Sequence, residues 1–88
     1  MTLMSTLDQK AIHAILSEID ARLSKGLVPV HNEHLQHLVE GDIVEHLINL
    51  KSAGLISGDL VTRGLDSTPH RMTNIRLTFI GIRTLRAG

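Results

Sequence analysis

Asp42-Ile43-Val44-Glu45-His46-Leu47-Ile48-Asn49-Leu50-Lys51-Ser52-Ala53-Gly54 runs directly into Leu55-Ile56-Ser57-Gly58-Asp59-Leu60-Val61-Thr62, and the change of period at that junction decides the fold. Up to Ala53 the apolar residues recur at helical spacing. Asp42 suits an N-cap and Gly54 stands where a left-handed stop is needed, so a helix is predicted over Ile43 to Ala53. Beyond Gly54 the period falls to about 2, the signature of a strand over Leu55 to Thr62 with a weak point at Gly58. Met72 to Phe79 reads as the returning strand, with Ile75, Leu77 and Phe79 alternating with Asn74, Arg76 and Thr78. Arg63 to Arg71, which holds Gly64, Asp66, Ser67 and Pro69, carries the turn residues of a long hairpin tip.

Upstream, Thr6-Leu7-Asp8-Gln9 has the form of a capping box, and Ala11, Ile12, Ile15, Leu16, Ile19 and Leu23 form one buried stripe. A first helix is predicted from Leu7 to Lys25, stopped by Gly26. Leu27-Val28-Pro29-Val30 is a connector, at most a short edge strand, because Pro29 cannot donate to a ladder. Asn32 caps a predicted second helix that turns Leu35, Leu38 and Val39 inward and ends near Glu40 and Gly41. After the hairpin, Thr78 caps a short last helix with Ile82 and Leu85 inward and Arg83 and Arg86 outward. Leu77, Phe79 and Leu85 are expected to close the core against the first and third helices. Three helices, a two-stranded hairpin and a short C-terminal helix form the element order of a winged helix-turn-helix, mainly α in an α+β frame. The third helix is then the recognition helix and the hairpin the wing, with residues 1–6 an N-terminal segment and 7–88 the domain.

Two stretches carry a family resemblance. His46-Leu47-Ile48-Asn49-Leu50-Lys51-Ser52-Ala53-Gly54-Leu55-Ile56 resembles the HL-x-LL-x-x-AGLI segment of a family of small bacterial and phage winged-helix proteins. Arg76-Leu77-Thr78-Phe79-Ile80-Gly81 resembles the same family's RLT-W-x-G exit into the C-terminal helix, with Phe79 in place of Trp. The resemblance runs from about Leu7 to Leu85, departs in a histidine-rich second helix, and implies the fold and a prophage-like setting.

With 88 residues the chain has room for one core. Nine basic and nine acidic residues leave no net charge, unlike general nucleic-acid or membrane-surface binders. Without cysteine there are no disulfides, thiolate metal sites or cysteine nucleophiles. Phe79 is the sole aromatic, which excludes the stacking platforms used on single-stranded nucleic acid and sugars. Short apolar runs and an N-terminus without a charged, cleavable leader read as a soluble, cytoplasmic protein. Hydrophobic residues make up 42% of a domain that buries only about 60 to 65% of its unfolded surface. Some of Leu3, Met4, Leu7, Val44, Ile48, Leu60, Val61 and Ile80 are therefore expected to stay exposed and to be covered in a homodimer, through the first helix with the N-terminal segment or through the C-terminal helix.

Projection of the third helix puts Ile43, Leu47 and Leu50 on the core face and Asp42, Glu45, His46, Asn49 and Ser52 opposite. In a winged helix that opposite face meets the major groove, with Asn49 and His46 as candidate base readers beside Glu45 and Ser52. It carries no Arg or Lys and two carboxylates that phosphates repel, so a solvated or protein-contacting face is the competing reading. Positive charge gathers later: Arg63, Arg71, Arg76, Arg83 and Arg86 follow Thr62, against Asp66 alone. The wing and C-terminal arginines suit the backbone of double-stranded DNA; the plainer reading is an ordinary solvated hairpin whose arginines pair with Asp42 or Glu45.

His31, His34 and His37 recur every third residue, but steps of three drift by about 60° on a helix, so only neighbouring pairs share a face. Surface or subunit-contact histidines outweigh a site in which His34 and His37 chelate a metal with Glu33 or Glu40. The fold is expected to need no metal or other cofactor. Without a glycine-rich phosphate loop, a nucleophile elbow or paired acids on a cleft, no enzyme is expected. The function that emerges is a DNA-binding or regulatory winged-helix protein; the alternative is a module of the same fold that docks a protein partner through the face of the third helix.

Overall fold

The computed structural model describes residues 9–62, 65 and 70–87. They form a mixed α+β domain of three α-helices, two 3₁₀ turns and a two-stranded antiparallel hairpin. Helix α1 spans Gln9–Ser24 and buries Ile15, Leu16 and Ile19, with Ile12 and Leu23 at the edge of the core. An i,i+4 pair, Arg22 Nε to Glu18 Oε2 at 3.0 Å, ties its outer face. The capping box at Thr6 lies outside the described residues. Helix α2 spans Ile43–Ser52, and Asp42 caps it by accepting a hydrogen bond from Val44 N at 3.0 Å. Ile43, Val44, Leu47 and Leu50 are buried.

Both helices stop as expected. Gly26 and Gly54 take positive φ, 76° and 83°. Leu27 N reaches Arg22 O and Gly26 N reaches Leu23 O, while Leu55 N reaches Leu50 O and Gly54 N reaches Lys51 O. Two Schellman motifs thus satisfy the last carbonyls of both helices.

The expected second helix is not an α-helix. Asn32–His34 and Gln36–Leu38 are separate 3₁₀ turns, broken at Leu35 with φ −114° and ψ −5°. The side chains that would have supported a helix are engaged elsewhere. Asn32 Oδ1 accepts from Met72 N at 3.0 Å instead of capping, whereas His34 Nδ1 accepts from His31 N at 3.0 Å and closes the start of the first turn in the manner of a capping box. Gln36 Nε2 donates to Gly41 O at 2.8 Å, and its Oε1 accepts from Ile43 N at 3.4 Å, which joins the second turn to the start of α2. The bonds of Asn32 and Gln36, which reach backbone outside the two turns, compete directly with a helical ladder. Leu35 is nevertheless fully buried, and Leu38 and Val39 pack against the core, so the inward residues were legible even though the backbone was not.

Strand β1 spans Ile56–Val61 and β2 spans Arg71–Leu77. Ser57 pairs with Arg76 and Asp59 with Thr73, so β2 carries one extra residue opposite Gly58. This bulge falls at the expected weak point. Asn74 takes φ 54°, a conformation that Asn tolerates better than most residues, and the bulge resets the alternation so that Met72 and Ile75 are both buried. A Cβ on Gly58 would lie 2.9 Å from Met72 Cγ and Sδ. On the other edge of β2, Ile75 N donates to Val30 O at 2.8 Å, and Val30 is buried. The Leu27–Val30 connector thus contributes a single rung.

Thr78 caps helix α3, Phe79–Ala87, by accepting from Gly81 N at 3.0 Å, and its hydroxyl donates to Gly54 O. Gly81 is buried so closely against the turn between α2 and β1 that a Cβ there would overlap the Leu55 carbonyl oxygen. Phe79 was expected to end β2 and fill the core, but it is the first residue of α3 and 73% exposed. The Thr78 cap begins the helix at that point, and the approach at Gly81 fixes which side of it faces in. Leu77 and Leu85 do pack against the core.

Candidate nucleic-acid interface

The buried stripe of α2 leaves Glu45 and Ser52 exposed and Asn49 half-buried on one outward strip, with half-buried His46 at its edge. His46 Nδ1 lies 3.1 Å from Asp42 O. A carbonyl only accepts, so that nitrogen carries the ring proton and Nε2 is turned to other partners. The strip's only described charge is Glu45, with Asp42 at the helix start and Lys51 exposed in the last turn.

The hairpin supplies the cations. Arg76 is exposed on β2 opposite Ser57 and has no ion-pair partner among the described residues. Arg71 Nη2 donates to Glu33 Oε1 at 3.3 Å. The expectation that wing arginines pair with Asp42 or Glu45 is corrected for Arg71: its carboxylate comes from the first 3₁₀ turn, which Asn32 holds against β2. Both side chains are open to solvent, so this pair contributes little to stability and does not prevent Arg71 from meeting a phosphate. Arg63 lies outside the described residues. Glu33 and Gln36 both have roles that periodicity missed, because Gln36 reaches its partners across a turn and Glu33 reaches one on a distant strand.

The histidines divide. His31 and His34 stack, with ring centroids 5.6 Å apart and planes at 16°. His31 Nδ1 accepts from Asn74 N at 3.4 Å, and His34 Nδ1 accepts from His31 N, so in both rings the proton sits on Nε2. His37 is exposed. Among the described residues no three His, Asp or Glu side chains gather around a common point.

Of the apolar residues expected to stay exposed, Leu60 and Ile80 do; Ile48 and Val61 are half-buried, and Val44 is buried within α2. Leu3, Met4 and Leu7 lie outside the described residues. Leu27 and Val28, not foreseen, are exposed side by side. Among the described residues no helix is long and apolar enough to cross a membrane. Comparison of the chain with protein-family models, with curated proteins and with solved structures found no match.

Proposed function

We propose that the chain is a non-enzymatic winged helix-turn-helix protein that binds double-stranded DNA and acts in regulation, of the phage or prophage type its motifs resemble. One observation carries this reading: α2, anchored by Ile43, Leu47 and Leu50, turns Glu45, Asn49 and Ser52 outward and passes directly into a hairpin whose β2 bears Arg71 and Arg76. Phosphate contact from the hairpin would position the protein, and Asn49, with His46 through Nε2, would read base edges. The absence of Arg and Lys from the outward strip of α2 favours a second reading, in which Glu45, His46 and Asn49 dock a protein partner.

Salt separates the two readings. Fluorescence anisotropy with a duplex at low salt is expected to show binding that weakens steeply as salt rises, because phosphate contacts release counterions, whereas partner docking responds weakly. Replacing Arg63, Arg71 and Arg76 by Ala should weaken all duplexes alike and lower the salt slope by about one unit per lost contact. Asn49→Ala should instead erase preference for a site by about 1 to 3 kcal/mol and leave nonspecific affinity intact. Duplex binding undetectable at low salt would overturn the DNA reading in favour of the docking one. The adjacent exposed pair Leu27 and Val28 supports self-association as a dimer, which light scattering at high micromolar concentration tests directly.

A further inference from the structure

Helix α3 presents one continuous outward stripe. At about 100° per residue, Phe79, Arg83, Ala87, Ile80 and Thr84 fall within an arc of about 140°, and every one of them is exposed. Gly81, Ile82 and Leu85 occupy the inward side. The helix cannot roll to hide the stripe, because Gly81 packs directly on the Leu55 carbonyl and the Thr78 hydroxyl is bound to Gly54 O.

The stripe has a composition of its own. Phe79 is 73% and Ile80 54% exposed, which places the chain's sole aromatic in water. The Arg83 guanidinium lies over the Phe79 ring, 5.7 Å from its centroid. Ile80, Arg83, Thr84 and Ala87 line a shallow depression of about 310 Å³. No acidic residue occurs in α3, and among the described residues neither Arg83 nor Arg86 has a carboxylate partner. An aromatic side chain beside arginines that lack a carboxylate partner among the described residues matches the residue types enriched at protein–protein interfaces. Phosphates alone would gain nothing from Phe79 and Ile80, and a second copy of the same stripe would set Arg83 and Arg86 against their own kind.

We infer that the outward stripe of α3 is a docking surface for an acidic, amphipathic protein segment, whose apolar side chain covers Phe79 and Ile80 and whose carboxylates meet Arg83 and Arg86. This surface is separate from the α2 strip and the hairpin arginines and does not depend on the DNA reading.

The test is amide-resolved NMR titration of the intact chain with a short helical peptide bearing Leu and Phe on one stripe flanked by Glu, beside a version with every Glu replaced by Lys. The Glu peptide is expected to shift the amides of residues 79–87, and the Lys peptide to leave them in place. Arg83→Glu and Phe79→Ala should each weaken binding by about tenfold or more, while Lys25→Glu, the same charge change just beyond α1, should not. Absent α3 shifts, or shifts indifferent to Arg83→Glu, would overturn the proposal. So would α3 shifts that appear on raising protein concentration alone, which assign the stripe to a second copy, or α3 shifts produced by duplex DNA and not by the peptide. DNA binding at the proposed interface is read separately at the Asn49 and Arg76 amides, so either result can fail without the other.

Discussion

Residues 31–39 and helix α2 begin alike, with an Asx residue followed by inward leucines, yet one forms two 3₁₀ turns and the other an α-helix. The difference lies in where the first side chain finds its partner. Asp42 bonds to Val44 N two residues on, which satisfies a free amide of its own helix. Asn32 bonds to Met72 N, 40 residues away, which satisfies the outer edge of β2 instead. A capping residue is a local signal only while no buried amide elsewhere competes for it. Between Asn32, Glu33 and His31, the 31–39 segment spends its polar groups on β2 and gives up its own ladder.

The comparison breaks first at the leucines. Leu35 and Leu47 are both fully buried, one in a 3₁₀ segment and one in α2. If tertiary packing holds both regions, Leu35→Ala and Leu47→Ala should each cost about 2 to 5 kcal/mol, measured from urea unfolding midpoints. A Leu35→Ala cost under about 1 kcal/mol would show the segment to be peripheral.

The two Asx residues sharpen it. Asn32→Ala leaves the amide of fully buried Met72 without its partner and should cost about 1 to 3 kcal/mol, with faster hydrogen exchange at Met72. Asp42→Ala removes a cap and should cost about 1 kcal/mol, with faster exchange at Val44. Equal effects on both amides from either variant would contradict the local-versus-distant distinction. The smallest effect belongs to the exposed pair: Arg71→Gln should change stability by no more than about 0.5 kcal/mol and lose even that in high salt, as followed by thermal unfolding.

Much of the candidate interface was legible in the same way. The outward strip of α2 follows from its periodicity, and Glu45, Asn49 and Ser52 stand where the projection puts them. Arg71 was legible as a hairpin cation but its partner was not, since nothing in the sequence near Arg71 points to Glu33. Phe79 was misread although a correcting signal was present: a Thr78 cap implies a helix beginning at Phe79, and a helix cannot continue the alternation of β2. With Gly81 two residues on, the 3.6-residue period places Phe79 well away from the close-packed side.

What the sequence by itself determined are the features whose cause and effect lie within a few residues. These are the extent of α2 with its Asp42 cap, the glycine stops after α1 and α2, the weak point at Gly58 and the Thr78 cap of α3. Only the tertiary structure decided the 3₁₀ turns of 31–39, the Glu33 partner of Arg71 and the reset of β2 at Asn74. Each is set by groups distant in the chain, as Met72 is for Asn32 and Glu33 for Arg71. Where the distant group is a buried amide, satisfying it outweighs a local preference of about 1 kcal/mol or less.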